Sequence, residues 1–175
     1  MTILTGPEIV RRVREGLITI EPFNPGHVNP NSYNYLLGPT LCVHRTHAID
    51  AHTDHPLDEV TIPDGGIVLE PGRVYLGTTV ETVGSGNVVP HLIGRSSMGR
   101  LGVFVEFSAE MGNLGAVHRW TLEIEAVQRT RVYAGDRVGQ IFFCEAQGEV
   151  REYDGHFGRI NDATAPLPEL LAASR

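Results

Sequence analysis

The sequence has no lysine: all 14 of its basic residues are arginines. That excludes Schiff-base chemistry, a lysine nucleophile and a phosphate-binding P-loop, each of which needs a lysine amine. Cysteine is scarce too. Cys42 and Cys144 stand far apart and outside any Cys-x-x-Cys pair, so two free thiols in a reducing cytoplasm are expected. No apolar run approaches about 18 residues, which argues against a membrane-spanning helix. The N-terminal MTILTGPEIVRRVREG lacks the apolar core and small-residue cleavage site of a signal peptide. An excess of positive charge is also missing. The formal net charge is −7, against the basic face that a nucleic-acid-binding protein presents.

Hydrophobic residues make up 41% of the 175 residues, enough for a core, and the length suits one domain. The 20 glycines and 11 prolines are scattered without a period, which points to a turn-rich, mainly β protein. Thr5-Gly6-Pro7-Glu8 reads as a helix start, with Thr5 and Glu8 at the positions of a capping box. Ile9, Val10, Val13 and Leu17 follow at helical spacing, and Gly16 supplies a stop. From Tyr33 onward the pattern is β. Val74, Leu76, Thr78 and Val80 alternate with Tyr75, Gly77, Thr79 and Glu81; Val103, Val105 and Phe107 alternate with Phe104 and Glu106. Trp120, Leu122, Ile124 and Ala126 form an apolar face opposite Thr121, Glu123 and Glu125. Val132, Val138, Ile141 and Phe143 predict a last hairpin that turns at Ala134-Gly135-Asp136. Many short strands with regular turns predict a distorted β-barrel or jelly-roll-like fold with a short N-terminal helix. Residues 1–152 form the expected domain, and 153–175 a tail that either closes over a site or frays.

Four features could carry chemistry. In Gly94-Arg95-Ser96-Ser97-Met98-Gly99-Arg100 two arginines flank two hydroxyls. Arg forks and Ser donors suit a polyphosphate, although a solvated turn has the same composition. Glu123 lies on an alternating strand with Thr121 and Glu125. It is either a proton shuttle in a pocket or one member of an exposed polar face. His44, His47, His52, Asp54 and His55 could ligate zinc, but they crowd into a loop-like segment without helical period, and a solvated loop is the favoured reading. Gly139-Gln140 and Tyr153 could read a base edge or bond a phosphate, or be an ordinary strand and tail.

Taken in order, IEPFNPGHVNPNSYNYLLG, LEPGRVYLGTTVETV, GRSSMGRLGV, SAEMGNLGAVHRWTLEIEA and RVYAGDRVGQIFF resemble successive segments of the dCTP deaminase branch of the dUTPase-like superfamily. The resemblance implies the dUTPase-like fold and a cytoplasmic homotrimer with active sites between subunits. It implies hydrolytic deamination of dCTP, or a closely related cytosine nucleotide, to dUTP and ammonia. Mg²⁺ would accompany the triphosphate, and no metal would act at the carbon centre. Position by position, Glu123 matches the general acid/base, and Ser96, Arg100 and the carbonyl of Ala109 match groups that hold the water and the site geometry. Arg95, Ser96 and Ser97 match phosphate contacts, within a motif that continues through Met98 and Gly99. Thr121 and Leu122 match backbone readers of the pyrimidine, and Gln140 and Tyr153 match further nucleotide contacts.

The resemblance breaks before the catalytic strand. The family's Asp-Pro-Gly-x-x-Gly is here Asn113-Leu114-Gly115-Ala116-Val117-His118. Asn cannot serve as a base at neutral pH, so triphosphate hydrolysis is disfavoured and a plain deaminase expected; Asn113 can still bond the sugar, and His118 and Arg119 are expected to reshape the pocket. The family's tail lysine is absent, and Arg159 is the stand-in, with Asn161 after it. Glu110 and Met111 also depart from the pattern, and Glu110 adds negative charge beside a site for a polyanion. A dUTPase-type pyrophosphatase and a non-catalytic nucleotide-binding trimer are the rival readings.

Overall fold

The computed structural model describes residues 2–46, 48–105 and 108–168; the expectations for His47, Glu106, Phe107 and the last seven residues of the tail lie outside them. The first element is helix α1 (Gly6–Arg14). It buries Ile9 completely and is stopped by Gly16 at φ 72°. Leu17, expected on the packed face, is exposed. The capping box does not form, since Thr5 makes no side-chain cap bond. Glu8 is drawn instead to the guanidiniums one turn on, 2.6 Å from Arg11 and 2.7 Å from Arg12. A charged partner outcompetes a neutral backbone N–H for a carboxylate.

The strands follow in chain order: β1 (Thr19–Glu21), β2 (Tyr33–Leu36), β3 (Thr40–His44), β4 (Leu57–Thr61), β5 (Ile67–Leu69), β6 (Val74–Gly84) and β7 (Val88–Gly94). A single helical turn, α2 (Ser96–Arg100), comes next, and then β8 (Val103–Val105), β9 (Val117–Ala126), β10 (Thr130–Val132) and β11 (Arg137–Glu145). They form an antiparallel sheet β4-β3-β6-β9-β8 with β1 on the far end of β6, a sheet β2-β11-β7, and the pair β10-β5. These sheets wrap one core that includes Tyr33, Tyr35, Leu41, Leu92, Leu122, Ile141 and Phe143, all at most 1% exposed. The expected barrel-like wrapping is therefore present as three sheets around a core. Among the described residues they do not close into one barrel.

Two local expectations change. The turn at Ala134–Asp136 exists, with Gly135 at φ 81° and Tyr133 N donating to Asp136 Oδ2. Its two arms do not pair with each other. β10 pairs with β5, and β11 runs between β2 and β7. The turn is a corner between sheets, because each arm finds a longer-range apolar partner. Strand β6 does not present one apolar and one wet face either. Tyr75, Leu76, Thr78, Thr79, Glu81 and Val83 are all buried, while Val74 is exposed. It lies mid-sheet between β3 and β9, so both faces are covered.

From Thr121 onward strand β9 matches its pattern. Leu122, Ile124 and Ala126 are buried, and Thr121, Glu123 and Glu125 are half-buried on the other face. Burying an aliphatic side chain such as Leu122 contributes about 1.5–3 kcal/mol, and this holds the register that turns Glu123 outward. A one-residue slip would bury it.

Candidate active site

The outer face of the central sheet carries cross-strand rows. Cys42 pairs with Leu76, and Leu76 with Glu123; Thr78 pairs with Thr121 in the next row. Directly opposed residues in an antiparallel sheet point to the same side, so Leu76 and Glu123 share one floor. The walls rise from the segment before β9 and from the tail. Together they enclose a cavity of about 460 Å³.

Residues singled out in the sequence line it, among them Ala109, Met111, Asn113, Thr121, Glu123 and Tyr153. Ser108 donates its hydroxyl to Glu123 Oε2, which fixes one carboxylate oxygen. Asn113 sits on the turn leading into β9. Its carbonyl accepts from Ala116 N at 3.3 Å, and Gly115 takes φ 83° there, a left-handed conformation that glycine adopts at least cost. Tyr153 is pinned by its backbone N–H, 2.7 Å from the carbonyl of Leu114. His44, from the histidine-bearing segment, also lines the cavity. Burial pushes its imidazole pKa down, with the His55 charge acting in the same direction. His55 Nε2 meanwhile accepts from Asp50 N at 2.8 Å and ties the loop to itself.

The rest of the expected site lies elsewhere. Arg95, Ser96, Ser97, Gly99 and Arg100 belong to the β7–β8 connection, outside the cavity lining. Met98 is turned into the core and anchors α2, while Ser96, Ser97, Gly99 and Arg100 are exposed. Leu122 is fully buried and does not line the cavity. Gln140 lies mid-strand in β11, opposite Asn34 and Ile93, where its Oε1 accepts from Ser32 Oγ at 3.3 Å. Arg159 is exposed on a 3₁₀ turn, His156–Arg159, and is not among the lining residues.

Apart from His118, which departs from the family motif, several lining residues carry no clear sequence signal. Trp120, expected on the core face, is half-buried and forms part of the wall. Opposite it the β6 register shifts between Thr78 and Thr82. A bulge of this kind bends and twists a strand. The indole is held by Nε1–H donating to Val83 O at 3.0 Å, and its backbone N–H by Thr79 Oγ1 at 2.9 Å. His118 stacks at a tilt on Trp120, centroids 4.3 Å apart. Its Nδ1 lies 2.8 Å from Arg119 O. Burial pushes the His118 pKa down, against the pull of the Arg119 and Ile160 backbone, so the neutral ring is favoured. The tail closes the upper side with Phe157, Gly158, Ile160 and Thr164.

The arrangement is a half-buried carboxylate, oriented by a hydroxyl, on the floor of a cavity with an apolar and aromatic wall. It can hold a flat polar ring against a group able to take up and return a proton. Among the described residues no helix is long and apolar enough to cross a membrane. Both cysteines are free and buried.

Comparison with known proteins agrees with this geometry. Residues 3–146 match the family model described as dCTP deaminase-like. A "dCTP deaminase, dUMP-forming" of Leptospira biflexa serovar Patoc is 42% identical over 164 residues, 94% of each chain. An enzyme of the same description from Hathewaya histolytica is 40% identical over 169 residues, 97% of this chain and 96% of that one. These relatives are named for dUMP, whereas the sequence predicts dUTP. Among solved structures, 2'-deoxycytidine 5'-triphosphate deaminase from Agrobacterium tumefaciens matches with a TM-score of 0.66 over 82% of this chain. This chain spans about half (48%) of that one, and at 23% identity the likeness is one of fold.

Proposed function

The chain belongs to the dCTP deaminase-like family, and we propose that it hydrolytically deaminates dCTP at C4 of cytosine and carries the product to dUMP. The observation that carries this reading is Glu123, oriented by Ser108, on the floor of the cavity it shares with Ala109, Asn113 and Thr121.

Cytosine C4 is a weak electrophile, so the attacking water must be activated and N3 must gain a proton. Glu123 serves both needs. It takes a proton from water as the oxygen bonds to C4, passes that proton to N3, and then assists proton transfer to the amino group. The C4–N4 bond breaks and ammonia leaves. General acid–base catalysis of this kind contributes about 10²–10⁴-fold, and fixing water and ring together supplies further acceleration. The carbonyl of Ala109 holds the water. Mg²⁺ arrives with the triphosphate as part of the substrate. A second water then attacks the α-phosphorus, its proton passing to solvent, the bond from the α-phosphorus to the bridging oxygen breaks, and pyrophosphate leaves with dUMP as the product. Asn113 can orient a water for that step but cannot deprotonate it.

Arg95, Ser96, Ser97 and Arg100 stand outside the cavity of their own copy. In this reading the homotrimer completes each site with the α2 segment of another copy, which supplies phosphate donors.

The test is product analysis by ion-exchange chromatography with mass detection. dCTP, dCMP, CTP and dUTP are each incubated with the protein and Mg²⁺, with Glu123→Gln alongside. The expected result is dUMP, pyrophosphate and ammonia from dCTP, lost in the variant, and no turnover after chelation of Mg²⁺. Pyrophosphate from dUTP without deamination of dCTP would make the chain a dUTPase-type pyrophosphatase. Nucleotide binding without any product would make it a binding protein.

A further inference from the structure

Three donors line up on β9 at the cavity rim, and the tail fills all three. The backbone N–H of Arg119 donates to Asn161 Oδ1 at 2.9 Å. The Arg119 guanidinium donates to Asp162 Oδ1 at 3.3 Å. The Thr121 hydroxyl donates to the carbonyl of Asp162 at 3.4 Å. Thr121 and Ile160 line the cavity themselves, so these contacts border the space a ligand would occupy. A row of one cationic fork, one backbone N–H and one hydroxyl is the donor set that recognises phosphoryl oxygens. Here an amide oxygen, a carboxylate oxygen and a carbonyl oxygen stand where such a ligand's acceptors would. The substitution is weakly held. The Asp162 side chain is 91% exposed and that of Arg119 37%, and an ion pair so open to water contributes little.

We infer that Arg119 is a further binding residue for the phosphate chain of the nucleotide, and that Asn161 and Asp162 occupy its place as an internal competitor. The inference rests on the nucleotide reading above. Binding then exchanges one set of acceptors for another on the same donors, and apparent affinity falls by the fraction of molecules in which the tail holds them.

The test is calorimetric titration of the full chain in the Glu123→Gln background, which prevents turnover, with dCTP, sodium tripolyphosphate and deoxycytidine as probes. Asp162→Asn removes the charge and keeps the size and the backbone carbonyl. It should tighten dCTP and tripolyphosphate by about 3-fold or more and leave deoxycytidine unchanged. Arg119→Ala should weaken the two phosphate probes, and adding Asp162→Asn to it should have no further effect, as required when two changes act through one contact. Unchanged or weaker dCTP and tripolyphosphate binding in Asp162→Asn would overturn the inference, whether or not the protein deaminates dCTP. Tighter tripolyphosphate binding, with no dCTP bound by any form, would sustain the inference about Arg119 while refuting the dCTP reading.

Discussion

Ser108 Oγ donates a hydrogen bond to Glu123 Oε2, tying the segment ahead of β9 to the carboxylate on the cavity floor. The bond restricts the rotation of the carboxylate about its side chain. Loss of this bond should act through the orientation of Glu123. Ser108→Ala is expected to lower kcat by about 10-fold or more with KM nearly unchanged, and Ser108→Thr should restore most of it. Steady-state kinetics on dCTP checks this. A Ser108→Ala enzyme with full kcat would show that Glu123 is positioned by something else.

Asn113 occupies the turn into β9 and lines the same cavity, but its amide has no basic site. Asn113→Asp places a carboxylate where the family carries one. It should raise the rate of pyrophosphate release from dUTP by about 10-fold or more, within the range of general-base catalysis. It should leave ammonia release from dCTP nearly unchanged. Pyrophosphate and ammonia are measured separately on the two nucleotides. Equal effects on both would mean that Asn113 serves substrate binding in common and not the second step.

The position of Glu123 is legible in the sequence because β9 obeys a period of two, and the burial of Leu122, Ile124 and Ala126 leaves only one face for it. The corner at Ala134–Asp136 is legible as a turn and not as a change of sheet. Turn chemistry is local, whereas the partners of β10 and β11 are 45 to 108 residues away in the chain. Trp120 departs from its pattern for the same reason, since the bulge that places it lies on the facing strand. Ser108 and Asp162 sit in irregular segments, where no periodicity marks a side chain. Asn161 is marked in the sequence only as the polar residue after Arg159, the stand-in for the tail lysine, and its partner, the Arg119 N–H, is a backbone group no composition reveals. The separation of α2 from the cavity is equally hidden, because a motif shows which groups are available but not where the fold carries them.

Glu81 is 1% exposed on β6. Its Oε2 accepts from Leu36 N at 3.0 Å, joining the central sheet to β2. Burial pushes its pKa above the ordinary carboxylate value, outweighing the backbone N–H groups and the Tyr33 hydroxyl that favour the anion. The folded state therefore holds this proton to a higher pH than the unfolded state does. Below the unfolded value, about 4.3, both states are protonated and the folded protein carries no penalty from this group. As pH rises through the folded value, the carboxyl must ionise while buried, and stability is lost. Glu81→Gln keeps an acceptor for Leu36 N and cannot ionise. Its Tm relative to the native sequence should rise between pH 4 and pH 7, by about 2–4 °C for each kcal/mol gained. Thermal denaturation across that range measures the difference. A gap constant with pH would mean that Glu81 ionises in the folded protein as readily as in the unfolded chain.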